Sequence, residues 1–210
     1  MWKKKTKTFV TEKLTMEFDL NGFVILRNFF SKEIIDYLNE LVDNIPPEFN
    51  SGGKFFPFDF DRQIFDVICD PRLLDMCRNW VSETFRFDQF FGVQFSHDNG
   101  WPTDLHAGRF PGHGFRQYDW YQNRPWSARL NCSVALSGQG KDEGGLIIVP
   151  GSHKLENLKG KDVCEMLDGD FDQDYVMKPV LNPGDVVVFS EATHHGTSPW
   201  KVKDRIRRAM

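Results

Sequence analysis

The chain has 210 residues, 40% of them hydrophobic, which is enough apolar mass for one domain with its own core. Its formal net charge of -4 argues against a nucleic-acid-binding surface as its main purpose. No apolar stretch reaches the length of a membrane span, and no apolar region follows Lys3, Lys4, Lys5 and Lys7, so neither a membrane segment nor a secretory signal is expected.

Residues 1–16 read as a polar leader, with the domain proper over 17–210. Asn21-Gly22 then opens a short β run, Phe23 to Leu26. Ser31 is a candidate N-cap for a helix whose apolar residues Ile34, Ile35, Leu38, Leu41 and Val42 recur at helical spacing. Pro46-Pro47 ends it. Asp70-Pro71, a capping residue before a proline at the first helical position, predicts a second helix with Leu73, Leu74, Met76, Cys77, Trp80 and Val81 on its buried stripe.

From Phe90 the texture changes to strands and turns. Strands are expected over Phe90 to Phe95, Leu130 to Leu136 and Leu146 to Val149. Asn182-Pro183-Gly184-Asp185 fits a type II turn leading into a buried strand, Val186 to Phe189. Short strands with Gly/Pro punctuation after two helices predict a β sandwich or barrel with helices on one face. Arg205 to Met210 reads as the start of another strand, so the domain is expected to be truncated at its C-terminus with an open sheet edge there.

Cysteines occur at 69, 77, 132 and 164 with no CxxC pair. Cys69 and Cys77 lie among apolar residues and are expected to be small buried hydrophobes. This usage suits a reducing compartment, and a cytoplasmic location is expected.

Six histidines stand at 97, 106, 113, 153, 194 and 195. A non-heme iron site needs two imidazoles, usually with one carboxylate, on one face of the metal, leaving the other face open. Leu105-His106-Ala107-Gly108 and Thr193-His194-His195-Gly196 are candidate half-sites, separated by enough chain for the intervening strands of a barrel. His153 lies in a Pro-Gly-Ser-His turn and reads as structural, while His97 and His113 read as solvated.

Three blocks carry a family resemblance. They are Asn21 to Phe30 (NGFVILRNFF), Glu143 to Lys154 (EGGLIIVPGSHK), and Pro183 to Phe189 (PGDVVVF) followed by His195-Gly196-Thr197-Ser198. In this order they resemble the opening, central signature and C-terminal half-site of the phytanoyl-CoA dioxygenase family, within the iron/2-oxoglutarate-dependent oxygenases. The resemblance implies an α+β, mostly β fold: a double-stranded β-helix, a cupin-like jelly roll, with flanking N-terminal helices. It implies Fe(II) and 2-oxoglutarate as cofactors and a small organic substrate, with neither nucleic acid nor membrane as partner. His106 matches the first metal ligand and His195 the second, with His194 as rival. Arg207 matches the arginine that grips the distal carboxylate of 2-oxoglutarate, with Arg205 second; a guanidinium binds a carboxylate bidentately, as lysine does not. Thr197 could add a hydroxyl to the same carboxylate, and Asn131 could bind the other one or be a polar core residue.

One position departs from the pattern. Where the family has His-x-Asp, this chain has His106-Ala107-Gly108, and glycine has no side chain to ligate. Asp104, Asp119 and Glu143 are weak substitutes. Gly108 therefore marks an open coordination position, which chloride or bromide fills in the iron/2-oxoglutarate halogenases. Three readings stand: hydroxylation with water or another acid in the gap, halogenation, or a catalytically inactive barrel serving as a small-molecule binding or interaction module. Trp101, Phe110, Phe115, Trp120, Tyr121 and Trp126 crowd the segment around His106 and could pack the core or form a lid. Arg109, Arg116 and Arg124 in that segment could meet an anionic substrate.

Overall fold

The structure is a computed structural model and describes residues 8–46, 50–51, 54–55, 62–98, 103–107, 117–155 and 173–210. Gly108, Trp101, Arg109, Phe110, His113, Phe115, Arg116 and Cys164 lie outside the described residues.

Helix α1 (Glu12–Asn21) begins inside the segment read as leader, capped by Thr11, whose hydroxyl accepts from the Leu14 N–H at 3.1 Å. The chain before it is tied down as well: Asp75 Oδ2 accepts from Thr8 Oγ1, Phe9 N and Val10 N at 2.7, 2.8 and 3.0 Å. The helix escaped the sequence reading because its buried face holds little more than Phe18, too sparse a pattern to show a helical period. β1 (Phe23–Leu26) and α2 (Lys32–Asp43) follow where the residues predict them. The short strands β2 (Asn50–Ser51) and β3 (Lys54–Phe55) and helix α3 (Arg62–Ile68) come next. α4 (Pro71–Trp80) starts as expected, with the Asp70 carboxylate accepting from Arg72 N at 2.9 Å. Cys69 is exposed, against expectation, because the chain leaves α3 there and turns its side chain outward. Cys77 and Cys132 are partly buried, and burial pushes the Cys77 thiol up to about 11.

The remaining strands are β4 (Gly92–Phe95), β5 (Thr103–His106), β6 (Tyr118–Tyr121), β7 (Arg124–Ser127), β8 (Leu130–Val134), β9 (Gly145–Ile148), β10 (Val186–Ser190), β11 (His195–Ser198) and β12 (Arg207–Ala209). One sheet runs β1-β10-β8, another β12-β4-β3-β2, and a third β5-β11-β9. The first two join at β12, because Val134 and Met210 exchange backbone hydrogen bonds of 2.6 and 3.0 Å and Ala135 bridges Ala209. β12 is thus paired on both sides, by β4 and by the end of β8, and the open edge expected at the chain's last residues is absent there. The pairing is long-range, so it could not be seen from the terminal residues alone.

Alternation sorts the side chains of β10. Val186 and Val188 face outward onto a core with Phe18, Leu38, Met76 and Trp80 from the helices. Val187 and Phe189 face inward and pack with Phe23, Leu146 and Ile148 between the sheets. The outer face of the third sheet carries Leu105, Ile147 and Val149 under Val176. Facing sheets with helices on one outer side make the expected double-stranded β-helix. No helix among the described residues is long and apolar enough to cross a membrane.

The turn before β10 closes with Asp185 N–H donating to Asn182 O at 3.0 Å, as a type II turn requires. Gly184 sits at φ 90°, and a Cβ there would meet Phe30 O at 2.5 Å, so this position needs glycine both for conformation and for space. Asp185, fully buried, accepts from Arg27 Nη1, Asn28 N and Asn182 N at 2.7, 2.9 and 2.9 Å. Burial works to raise its pKa, but these donors and the Arg27 charge hold it below the usual carboxylate value.

Candidate active site

β11 lies between β5 and β9, and this order builds the site. His195 is the register partner of His106 on one side and of Ile148 on the other. Directly opposed residues in an antiparallel sheet point to the same face, and Ile148 belongs to the inner core, so both imidazoles project inward. Their ring centroids are 4.5 Å apart. Two residues on, Thr197 shares that face by the strand's period of two, opposite Leu146.

The His195 ring is oriented. Its Nδ1 lies 2.8 Å from the Thr193 carbonyl, which can only accept, so Nδ1 carries the hydrogen and Nε2 keeps its lone pair. The Phe189 ring packs against it at 4.5 Å. Burial, with His106 beside it, pushes its pKa down to about 4, so the ring is neutral at ordinary pH and fit to ligate. His194 precedes the strand and is buried; its N–H donates to Ser152 Oγ at 2.8 Å and its carbonyl accepts from Val149 N. It is one residue out of phase with His195.

The two candidate arginines differ. Arg205 pairs with Glu143 and faces the Trp200 ring at 5.3 Å. It is therefore committed elsewhere, and so is Glu143, which also accepts from Gly140 N at 2.6 Å. Arg207 is 4% exposed, bonds Gln139 Oε1 through Nε at 2.9 Å, and lies 5.7 Å from the Phe95 ring centroid. Among the described residues its buried Nη1 has no hydrogen-bond partner and no carboxylate pairs with it. A buried guanidinium without a counter-ion is costly, and burial alone lowers its pKa to about 10. An anion reaching Nη1 would relieve both problems.

Asn131 sits opposite Phe189 and so faces inward, where its Nδ2 donates to Glu191 Oε2. Glu191, whose charge opposes the lowering of the His195 pKa, was not singled out from the sequence, and neither was Gln139. Each is one polar residue in a loop, and only the pairing of distant strands gives it a role. Asp119 is exposed and its carboxylate accepts from Trp120 N at 2.7 Å. Among the described residues no group of three His, Cys, Asp or Glu side chains is placed to share a metal ion.

His153 is structural, as expected: its Nε2 lies 3.0 Å from the Asp19 carbonyl and its ring meets Tyr118 edge-on at 4.3 Å. His97 is exposed beside Asp98. In the described part of the aromatic segment, Trp120 Nε1 donates to Asp19 at 2.8 Å and Arg124 Nη1 donates to the Arg78 carbonyl at 3.1 Å. The β6–β7 hairpin is thus anchored on the helices rather than free to act as a lid.

The sequence model of the phytanoyl-CoA dioxygenase family matches residues 18–209. A search of curated protein sequences returns no significant match. Among solved structures, HygX from Streptomyces hygroscopicus, with nickel, 2-oxoglutarate and hygromycin B bound, is similar at TM-score 0.76 and 20% identity, over 95% of this chain and 86% of that one. EctD from S. alaskensis, with 2-oxoglutarate and 5-hydroxyectoine, is similar at TM-score 0.67 and 19% identity, over 100% and 76%. SnoK, a non-heme alpha ketoglutarate dependent carbocyclase from nogalamycin biosynthesis, follows at TM-score 0.68 and 15% identity, over 95% and 81%. A double-stranded β-helix with two inward histidines on paired strands, and a family match over nearly its whole length, together show that this chain belongs to the phytanoyl-CoA dioxygenase family.

Proposed function

We propose that this protein is an iron(II)- and 2-oxoglutarate-dependent oxidoreductase that acts on a C–H bond of a small organic substrate, by hydroxylation or halogenation. The observation that carries this reading is the coexistence of two inward, register-paired imidazoles with a buried arginine whose Nη1 has no partner among the described residues. The HygX and EctD structures hold 2-oxoglutarate together with small organic molecules, which supports a substrate of that class.

In this reading His106 and His195 hold the iron through neutral imidazoles, and the Thr193 carbonyl keeps His195 in the ligating tautomer. Arg207 grips the distal carboxylate of 2-oxoglutarate, Thr197 adds a hydroxyl from the same face as His195, and Asn131 serves the other end of the cosubstrate. When bound, iron and 2-oxoglutarate supply the oxidising power, with dioxygen consumed and the keto-acid decarboxylated. The chain's contribution is placement and dryness: Phe189, Ile148 and Leu146 line the inner face and exclude water around the polar groups. The His106-Ala107-Gly108 sequence provides no carboxylate at its third position, and this keeps both outcomes in the reading: a halide in that position gives halogenation, water or another acid there gives hydroxylation.

The test is anaerobic reconstitution with Fe(II) and 2-oxoglutarate, then dioxygen, with and without chloride. Succinate release supports the oxidoreductase. Halogenated product with a candidate substrate supports the halide form, and oxygenated product alone removes it. Failure to take up iron or 2-oxoglutarate would leave a binding module built on the same barrel.

A further inference from the structure

We propose that Gln139 is a positioning residue that aims the Arg207 guanidinium at the cosubstrate, and that it must be a neutral amide to do so. This rests on Arg207 being the anion-binding group. Gln139 is 2% exposed and every polar valence of its side chain is used. Its Oε1 accepts from Leu146 N at 2.8 Å and from Arg207 Nε at 2.9 Å. Its Nε2 donates to Leu146 O at 2.9 Å and to Pro179 O at 3.0 Å. The amide cannot flip, because Nε2 would then face two N–H donors and Oε1 two carbonyls. The carbonyl oxygen is therefore locked toward Arg207.

A single bond to Nε sets the rotation of the planar guanidinium and leaves Nη1 for a ligand. The main chain of Gln139 is fixed as well, exchanging two 2.8 Å hydrogen bonds with Leu181. The space for this pair comes from Gly145 at φ 93°. A Cβ there would lie 2.3 Å from Gln139 Oε1, 2.5 Å from Arg207 Nε and 2.7 Å from Arg207 Cδ.

Charge decides why the residue is glutamine. Glutamate has the same shape and could accept the same bonds, but it would give Arg207 a permanent internal counter-ion and leave Leu146 O and Pro179 O without their donor. Gln139 orients the cation without neutralising it.

The experiment uses the full chain loaded anaerobically with Mn(II), a stand-in that does not turn over, and titrated with 2-oxoglutarate by calorimetry. Gln139→Glu and Gln139→Met are expected to weaken 2-oxoglutarate by about tenfold or more, with Mn(II) affinity measured without 2-oxoglutarate unchanged. Gln139→Asn, which keeps the amide but withdraws it by one methylene, is the mild variant and is expected to show a smaller loss of the same kind. Unchanged 2-oxoglutarate affinity in the variants that fold, or an equal loss of Mn(II) affinity, overturns the proposal, since a merely structural residue would behave that way. Arg207→Lys separates the two levels. If it leaves 2-oxoglutarate binding intact, the reading of Arg207 itself falls. If it abolishes binding while the Gln139 variants keep theirs, only the positioning role falls.

Discussion

His106 and His195 are direct register partners across β5 and β11, with ring centroids 4.5 Å apart, although strands β6 to β10 lie between them in the chain. A metal held by this pair needs both rings. Replacing either His106 or His195 by alanine is expected to weaken Fe(II) binding at least about 100-fold, more than the loss of an outer-shell partner. His194→Ala is expected to keep affinity close to the parent, because His194 is out of phase with the inward face. Equilibrium dialysis under anaerobic conditions reads all three; a loss confined to His194→Ala would reassign the ligand.

The pH dependence of stability has an identifiable contributor outside the site. Burial, partly opposed by the bond to the Asp19 carbonyl, lowers the His153 pKa from 6.5 to about 4. Between those values the unfolded chain takes up a proton that the folded chain refuses. This contribution is therefore intact above about pH 6.5 and is lost as pH falls toward 4, amounting to about 1–3 kcal/mol. Urea midpoints measured across this range should fall less steeply for His153→Gln than for the parent, and parallel curves would count against the assignment.

Gly184→Ala should be costly. The residue must keep φ near 90° and its new methyl would press on the Phe30 carbonyl, so a loss of about 2 kcal/mol or more is expected in chemical unfolding. A neutral outcome would mean that the turn rearranges freely.

The helical side has its own anchor. Phe18 stacks on Trp80 with centroids 4.2 Å apart and an interplanar angle of 1°, and both are essentially fully buried. Phe18→Ala is expected to cost about 3–5 kcal/mol in equilibrium unfolding, while 2-oxoglutarate affinity in the variant that remains folded is unchanged, because the site lies on the opposite face of the sheet.

Elements whose cause is local are legible in the residues themselves. The Asp70-Pro71 helix start, the Pro183-Gly184 turn and the valine-rich β10 each carry their cause within a few residues. α1 failed that test because one buried phenylalanine makes no period, and Cys69 because apolar neighbours in sequence need not be neighbours in space.

The residues alone carried the fold class and the candidate set: strand and turn chemistry indicate the β-rich domain, and the motif resemblance implies His106, His195 and Arg207, with Arg205 second. The burial of Arg207 beside Gln139, the pairing of Arg205 with Glu143 and the nearness of Glu191 to His195 came only from the tertiary structure. The physical reason is that strand register is set by hydrogen bonds between segments far apart in the chain, and these bonds determine which polar group is buried beside which charge.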